Sequence, residues 1–373
     1  MNTTMSLRWG NSTYLGVNMK LTDAELRFYS RQIVLDEIGY EGQRKLKKSK
    51  VCIAGLGGLG STIAIQLTAM GVGHLRLVDR DFVEESNLQR QHLYSFDAIG
   101  FPKVEAAVDK LKGLNPYVEL EPLPISLSES NTVETLKEMD VVVDGLDSMK
   151  ARYAVNRASV KLGIPYVFGA AISTFGNVST IIPNETACLE CFYGKLEDKN
   201  LPSCGTVGVH PAILGIIGSL EVAETIRLLT TRQPKLANKL LYCDLSSMRF
   251  EEIAIAPIES CPICGRDQGT RPAALKHLLV EEECGRNGRR VFIIAPEKRL
   301  NLNIENLPGI LKKDAGKIEV MSRLGVTFST EKGIRGSLLK SGIMVVDGAK
   351  TQSEALEFYK EIVVSKLGVP SPN

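Results

Sequence analysis

The spacing of apolar and polar positions predicts strands and helices that alternate along most of the chain. An apolar strand at residues 50–54 is followed by a glycine-rich turn, a helical pattern at 59–70 and a second apolar strand at 75–79. These form one strand–helix–strand unit of about 30 residues. Further strands are predicted at 140–144, 166–169 and 176–183, and further helices at 21–50, 103–114, 150–162 and 211–229. The pattern predicts an α/β fold with a Rossmann-like, mostly parallel sheet and helices on both faces.

The pattern changes after Cys264, which suggests a second domain. Residues 266–272 form a polar linker, and residues 273–373 hold short β-like runs and a closing helix at 352–366, as in a small α+β domain. Residues 1–20 are polar and lack the apolar core of a signal peptide, so we expect a flexible tail. The alternative is that translation starts at Met19. The main domain is therefore expected at residues 21–265.

Composition narrows the class of protein. Lys plus Arg is 45 and Asp plus Glu is 43, a net charge of +2, which gives no electrostatic footprint for nucleic acid or anionic membranes. No apolar run approaches the roughly 18–20 residues needed to span a bilayer. We expect no nucleic-acid or membrane partner and a cytoplasmic location. The chain has only four histidines, so chemistry that depends on histidine has few candidates.

A glycine motif lies between the first strand and the first helix of the alternating pattern. Gly55, Gly57 and Gly60 have the GxGxxG spacing that lets a backbone approach a phosphate at a helix N-terminus. Asp79 ends the next strand, where a carboxylate would hold ribose hydroxyls, and Asp81 follows in the same predicted site. Together these features predict a nucleotide site, although the motif alone could be a plain strand–helix turn and does not distinguish NAD from ATP.

A polar and basic cluster follows that strand. Asn87, Arg90 and Gln91 lie in a Ser-Asn-Leu-Gln-Arg-Gln run, and Lys103 begins a predicted helix. A site that steadies a triphosphate during adenylyl transfer needs such groups, whereas an NAD site has no use for them. Arg31 is a further candidate for phosphate. Taken singly, each cation could be an ordinary surface charge.

A carboxylate pair ends the strand at 140–144. Asp144 and Asp147 lie at the C-terminal end of a strand, where open α/β sheets bind ligands. Mg²⁺ prefers one or two carboxylates together with substrate phosphates, so Asp147 is a candidate magnesium ligand. The alternative is that Asp147 caps the following helix.

Two CxxC pairs predict a zinc site. The four thiols can close a tetrahedral structural site that staples two distant segments, the alternative being four reduced cysteines. The members of the pairs are Cys188, Cys191, Cys261 and Cys264. Cys204 lies outside the pairs, in a Gly/Pro-flanked segment before a helix, where a thiol of lowered pKa could act as a nucleophile.

These motifs resemble the ubiquitin-activating superfamily, which includes the adenylyltransferases of molybdopterin and thiamine biosynthesis. The resemblance covers residues 21–265 and includes the Arg-Gln arm, GxGGLG, VDxDxVxxSNLxRQ, the paired CxxC and the late cysteine loop. It implies ATP, Mg²⁺ and structural Zn²⁺ as cofactors, a homodimer in which Arg31 reaches the partner's site, and a thioester at Cys204. The nucleotide-site residues that it implies are Gly55, Gly57, Gly60, Asp79, Asn87, Arg90, Gln91, Lys103 and Asp147.

The chain departs from the family pattern in three places. Ser148 replaces the family's asparagine, and Gly205 separates Cys204 from the usual threonine. Residues 290–373 contain no cysteine, so the sulfur-transferring rhodanese domain of some members is not expected. By its position the C-terminal domain is similar to the β-grasp domain with which activating enzymes recruit a conjugating enzyme.

We expect ATP-dependent adenylation of the Gly-Gly C-terminus of a ubiquitin-like protein, followed by a thioester at Cys204 and transfer to a conjugating enzyme. The nearest alternative is adenylation of a sulfur-carrier protein in molybdopterin, thiamine or tRNA thiolation, which shares the first step. A remote alternative is an NAD-dependent oxidoreductase. A further alternative is a non-enzymatic protein that forms one half of a heterodimeric activating enzyme.

Overall fold

The computed structural model describes residues 20–201, 207–265, 274, 275, 277, 279–284, 290–311, 316–331 and 333–369. The expected N-terminal tail, the linker at 266–272 and Cys204 lie outside these residues.

The large sheet of the main domain has eight strands in the order β3-β2-β1-β4-β5-β6-β7-β8. The strands from β3 to β5 pair parallel, and β5 to β8 pair antiparallel. The parallel, Rossmann-like part confirms the expected fold class. The strand order reverses between β1 and β4, and such a switch point leaves a crevice at the carboxyl ends of the strands. The strands are β1 (Lys50–Ala54), β2 (His74–Val78), β3 (Glu119–Leu123), β4 (Val141–Asp144), β5 (Tyr166–Ile172), β6 (Phe175–Ile181), β7 (Lys239–Asp244) and β8 (Arg249–Ala254).

Helices cover both faces of this sheet, and two separate apolar cores lie between the layers. The described helices include none that is long and apolar enough to cross a membrane. The helices are α1 (Asp23–Phe28), α2 (Ser30–Ile33), α3 (Gly39–Lys48), α4 (Gly58–Met70), α5 (Lys103–Leu114), α6 (Thr132–Leu136), α7 (Met149–Leu162), α8 (Leu189–Tyr193) and α9 (Pro211–Thr230).

The N-terminal helical region differs from the single helix expected over residues 21–50. It is divided into α1, α2 and α3, and Gly39 has a φ of 59°, a left-handed conformation that interrupts a regular helix. The capping box predicted at its start is present: Thr22 Oγ1 accepts from Glu25 N at 3.2 Å, and Glu25 Oε2 accepts from Thr22 N at 2.8 Å.

The C-terminal domain is a six-stranded sheet in the order β11-β12-β13-β14-β10-β9, with helices on one face. The α+β expectation is confirmed. All five strand pairs of its described part are antiparallel, and the similarity to a β-grasp domain stays a prediction. Its elements are β9 (Val280–Cys284), β10 (Arg290–Ile294), α10 (Leu307–Leu311), β11 (Lys317–Met321), β12 (Gly325–Ser329), β13 (Arg335–Leu339), β14 (Met344–Asp347) and α11 (Gln352–Tyr359), which continues as a π-helix over Lys360–Lys366.

Candidate nucleotide site

The glycine loop between β1 and α4 uses its three glycines in different ways. Gly55 has a φ of 91°, and a Cβ there would lie 2.5 Å from the carbonyl oxygen of Gly145. A Cβ on Gly60 would lie 2.0 Å from the carbonyl oxygen of Gly55. A Cβ on Gly57 meets nothing closer than Gln91 Nε2 at 3.9 Å. Gly55 and Gly60 therefore allow close backbone packing, and Gly57 leaves space at the start of α4.

The N-terminus of α4 is free to receive an anion. Gly57 is its N-cap residue and makes no side-chain cap hydrogen bond. The first N–H groups of a helix have no partner within the helix and carry a partial positive charge. Gln91, which is 4% exposed, faces this loop, and its Oε1 has no hydrogen-bond partner among the described residues. An amide oxygen can only accept, so this unpaired buried atom indicates a ligand group that donates a hydrogen bond.

Asp79 holds the glycine loop in place, and its carboxylate can still accept hydrogen bonds from a ligand. Its Oδ2 accepts from Leu56 N at 2.7 Å, and its Oδ1 accepts from Asp81 N at 2.8 Å. A carboxylate has about four acceptor positions, so both oxygens can still accept from ribose hydroxyls. Desolvation raises the pKa of Asp79 despite the nearby Lys103 charge.

Lys103 places a buried positive charge at the site. It is 5% exposed, and its Nζ donates to Asp81 Oδ2 at 2.9 Å. Burial lowers its pKa, but the charges of Asp81, Asp79 and Asp147 outweigh burial and raise that pKa above its ordinary value. Desolvation also acts on Asp81, yet Lys103 holds the pKa of this carboxyl below its usual value. The pair therefore stays ionised at neutral pH.

The segment between Asp81 and Lys103 folds into short turns that carry the other predicted residues. Arg90 Nη1 donates to the carbonyl oxygen of Ser86 at 2.7 Å, which anchors one end of the guanidinium. Asn87 is buried, and its Oδ1 accepts from Glu84 N at 3.2 Å. Asn87 thus shapes the loop, a role that the sequence did not indicate.

The two carboxylates after β4 have different roles. Asp144 is fully buried; it accepts from Leu146 N at 2.8 Å, from Arg152 Nε at 3.1 Å and from the Tyr166 hydroxyl. Asp147 is exposed, and it acts electrostatically on both Lys103 and Arg152. Asp144 therefore holds the loop, and Asp147 faces the site as a candidate ligand. Sequence reasoning missed Arg152, although an arginine one turn into the helix after this motif was a usable signal.

A second buried acid lies close to this network and was also missed. Glu221 on α9 is fully buried, and neither carboxylate oxygen has a hydrogen-bond partner in the part of the chain that the structure describes. A Cβ on Gly169 would lie 2.2 Å from Glu221 Cδ, so β5 packs directly on the acid. Burial, with a further contribution from Asp144, raises the pKa of Glu221 well above its ordinary value. Burial of Glu221 therefore favours its neutral form.

Arg31 lies away from the glycine loop of its own chain. It is exposed on α2, and the adjacent Gln32 donates to the carbonyl oxygen of Met70 at 2.8 Å, at the C-terminal end of α4. The loop lies at the N-terminal end of that 13-residue helix, roughly 20 Å away. Arg31 therefore lies outside the group formed by the glycine loop, Asp79, Asp81 and Lys103.

The four cysteines of the CxxC pairs converge. Their sulfur atoms all lie within 4.8 Å of one another; the Cys188–Cys261 distance is 3.7 Å and the Cys191–Cys264 distance is 3.3 Å. A tetrahedral zinc with bonds of about 2.3 Å requires sulfur separations of about 3.8 Å. Within the described residues this is the one group of three or more side chains that could hold a metal ion. The sulfur geometry fits a structural zinc ion. For magnesium, Asp147 remains a single candidate carboxylate.

Comparison with known proteins agrees with the fold of the main domain. A model of the ThiF family matches residues 29–263. The chain belongs to the ThiF family. The match ends at residue 263, so the antiparallel C-terminal sheet lies beyond it.

Two relatives share this domain over nearly their whole length. A SAMP-activating enzyme E1 of Haloferax volcanii is 38% identical over 250 residues, which cover 67% of this chain and 92% of the relative. A sulfur carrier protein adenylyltransferase of Thermus thermophilus is 38% identical over 259 residues, which cover 68% of this chain and 96% of the relative. The solved structure of MccB from E. coli has a TM-score of 0.58 at 21% identity, covers 69% of this chain and 76% of that chain, and shows the fold alone.

The site has two features that a polyphosphate requires. Gly57 leaves room at a helix N-terminus, and Lys103 supplies a buried positive charge. Asp147 is an exposed carboxylate of the kind that shares Mg²⁺ with substrate phosphates.

Proposed function

We propose that this chain is an ATP-dependent adenylyltransferase that activates the C-terminal carboxylate of a small ubiquitin-like sulfur-carrier protein. The observation that carries the proposal is the pair between the buried Lys103 and the half-exposed Asp81, which is joined through Asp79 to the glycine loop. A dehydrogenase that binds NAD has no need of this cation. The intact cluster of charged residues equally argues against a non-enzymatic partner.

In the proposed reaction, a carboxylate oxygen of the carrier attacks the α-phosphorus of ATP. The new phosphorus–oxygen bond forms the acyl-adenylate, and the bond to the β-phosphate breaks to release pyrophosphate. Lys103 and Arg90 stabilise the charge that develops on the phosphate oxygens, and Asp147 would hold magnesium, which neutralises the leaving group. Pyrophosphate is a stable leaving group, so no strong base is required.

An exposed edge strand on the antiparallel side of the large sheet supports a protein substrate. Every residue of β8 is exposed, and Phe250 and Ile253, on opposite faces of the strand, are 49% and 48% exposed. On the face of Ile253, Phe175 stacks on Tyr242 with ring centroids 6.1 Å apart. Exposed aromatic and aliphatic side chains on an edge strand are typical of surfaces that bind another sheet.

The sulfur-carrier function is better supported than transfer to a conjugating enzyme. The Thermus relative is named for a sulfur carrier and the Haloferax relative for SAMP activation. The thioester at Cys204 and the recruitment of a conjugating enzyme by residues 273–373 rest on sequence position, and both stay predictions.

A homodimer is part of the proposal. A surface groove of about 660 Å³ runs between α4 and α9, lined by Ile65, Ile216 and Leu220 with Gln66 and His92. The groove extends along α4, whose N-terminus adjoins the glycine loop and whose C-terminus lies near α2, the helix that carries Arg31. We propose that a second copy covers this groove, and the family resemblance implies that its Arg31 reaches the loop.

The test is ATP–pyrophosphate exchange with a carrier that ends in Gly-Gly. Lys103→Met should reduce exchange about 100- to 1,000-fold, the usual effect of removing a group that stabilises transition-state charge. Lys110→Met, an exposed lysine on the same helix, is the matched control and should retain activity. Normal exchange by Lys103→Met, or no exchange by the wild type with any such carrier, would refute the proposal.

A further inference from the structure

The C-terminal sheet buries both of its faces. One face packs on its own helices, where Phe292 and Phe328 contact the core around Phe358 and Tyr359. The opposite face packs around Phe82 of the main domain, and the side chains involved are Ile293, Ala295, Leu339 and Ile343. Phe82 directly follows Asp81, the partner of Lys103. The second face of the C-terminal sheet is therefore held against the segment that builds the nucleotide site.

Polar contacts fix the same junction. The buried Glu105 accepts from Arg323 N at 3.1 Å and from Leu324 N at 2.9 Å. Thr327 Oγ1 donates to the carbonyl oxygen of Gly100 at 2.8 Å. Glu105 lies two residues after Lys103 on α5, so the C-terminal domain holds the first turn of the helix that carries the buried cation.

Glu281 on β9 reaches the mouth of the site from the C-terminal domain. Its Oε1 accepts from Lys150 Nζ at 3.0 Å, and its other oxygen accepts from Arg80. Arg80 stands between Asp79 and Asp81, and Lys150 stands three residues after Asp147. The one carboxylate thus joins the two strand ends that flank the site. Burial opposes its ionisation, yet the charges of Arg80 and Lys150 lower the pKa of Glu281 below its ordinary value.

We propose that Glu281 is a positioning residue for the nucleotide, so that the C-terminal domain forms an integral part of the nucleotide site. The proposal rests on the ATP site of the proposed function. Arg80 Nε already lies 3.9 Å from Asp81 Oδ1. Without Glu281, Arg80 moves onto Asp81 and competes with Lys103 for that carboxylate. Glu281 keeps the Arg80–Glu281 pair separate from the Lys103–Asp81 pair. This separation preserves the arrangement of charges around the triphosphate.

The test measures the dissociation constant of Mg-ATP by calorimetry, together with KM for ATP and kcat in pyrophosphate exchange. Glu281→Gln should raise both the dissociation constant and KM about three- to tenfold and leave kcat within about twofold. Glu282→Gln is the control, because Glu282 is half exposed and pairs with Arg290 inside the C-terminal domain. Arg80→Met combined with Glu281→Gln should bind Mg-ATP more tightly than Glu281→Gln alone, since the double variant lacks the cation that competes for Asp81.

The outcomes separate this inference from the proposed function. Unchanged Mg-ATP binding by Glu281→Gln, or a fall in kcat together with a loss of thermal stability, would overturn the positioning role. Weaker binding by Glu281→Gln in a protein that exchanges pyrophosphate with no carrier would support the positioning role and refute carrier adenylation. A wild-type protein that does not bind Mg-ATP would overturn both.

Discussion

The α-carbon of Gly60 packs so closely on Gly55 that a Cβ on Gly60 would lie 2.0 Å from the carbonyl oxygen of Gly55. Gly55 in turn lies against Gly145 at the end of β4, where a Cβ would meet a carbonyl oxygen at 2.5 Å. Three backbone segments therefore meet at the switch point of the sheet without side chains between them. Two of the three motif glycines serve this packing, and Gly57 alone faces open space.

This contact predicts that two similar substitutions act differently. Gly60→Ala should lower the free energy of unfolding by several kcal/mol, because the backbone of the loop must move away. Gly57→Ala should leave stability within about 1 kcal/mol and weaken Mg-ATP binding, because its methyl group enters the space for a phosphate. Chemical denaturation and calorimetry measure the two effects. Equal losses of stability in the two variants would contradict this division.

The four-cysteine cluster predicts one structural zinc for each chain. Cys261→Ser should remove the metal and destabilise the main domain by about 2–5 kcal/mol, since the site joins the segments around residues 188–191 and 261–264. Metal analysis and thermal denaturation check this. Cys243→Ala is the control, because Cys243 is buried outside the cluster and this variant should keep its zinc. Full zinc content in Cys261→Ser would show that the cluster is not the metal site.

Glu221 predicts an unusual dependence of stability on pH. Its pKa is raised well above the ordinary value of 4.5, so the unfolded chain releases this proton at a lower pH than the folded protein does. Stability is therefore lost as pH rises above about 4.5 toward the folded pKa, at about 1.4 kcal/mol for each pH unit. Glu221→Gln carries no such proton, so its stability advantage over the wild type should grow across this range.

The matched control for this prediction is on the same helix. Glu224 is also buried, but its carboxylate accepts from Thr180 Oγ1 at 2.7 Å and from Leu236 N at 2.8 Å. Glu224→Gln should destabilise the protein by about 1–3 kcal/mol, because bonds to a charged acceptor are weakened. A difference in unfolding free energy between Glu221→Gln and the wild type that stays constant as pH rises above 4.5 would contradict a raised Glu221 pKa.

The position of Arg31 predicts a site shared between two chains. Arg31→Ala and Arg90→Ala should each abolish pyrophosphate exchange while the protein remains folded. If Arg31 acts on the partner's site, mixed dimers of the two variants contain one intact site, and an equal mixture should recover about a quarter of wild-type activity. Exchange kinetics after subunit mixing would measure this. No recovery in a mixture shown to contain mixed dimers would place Arg31 outside the site or in its own chain's site.

The sequence predicted four of the five strands from β3 to β5, because buried strands and amphipathic helices have distinct periods, and it also predicted β6. β3, β7 and β8 were missed. β8 is exposed along its whole length, so it carries no burial pattern from which a strand could be predicted. The single helix predicted at 21–50 was wrong, because the segment forms three helices. Gly39 takes a left-handed conformation, which the spacing of apolar residues does not indicate.

The candidate site was predictable where a motif carries the residue, as for Gly57, Asp79, Gln91 and Lys103. Glu221 and Glu281 were not, because each reaches the site from a segment far along the chain, and only the fold brings them there. The separate roles of Asp144 and Asp147 depend on burial, which two carboxylates three residues apart do not reveal in a sequence.

The most direct test of the central claim is the mass of a Gly-Gly-tailed carrier after incubation with this protein, Mg-ATP and a pyrophosphatase. The account predicts a carrier that gains one adenylate group, with no gain for a carrier lacking the two glycines or for the Lys103→Met variant. A carrier of unchanged mass that is also not linked to the enzyme, in a preparation that binds Mg-ATP, would contradict adenylation of a ubiquitin-like carrier.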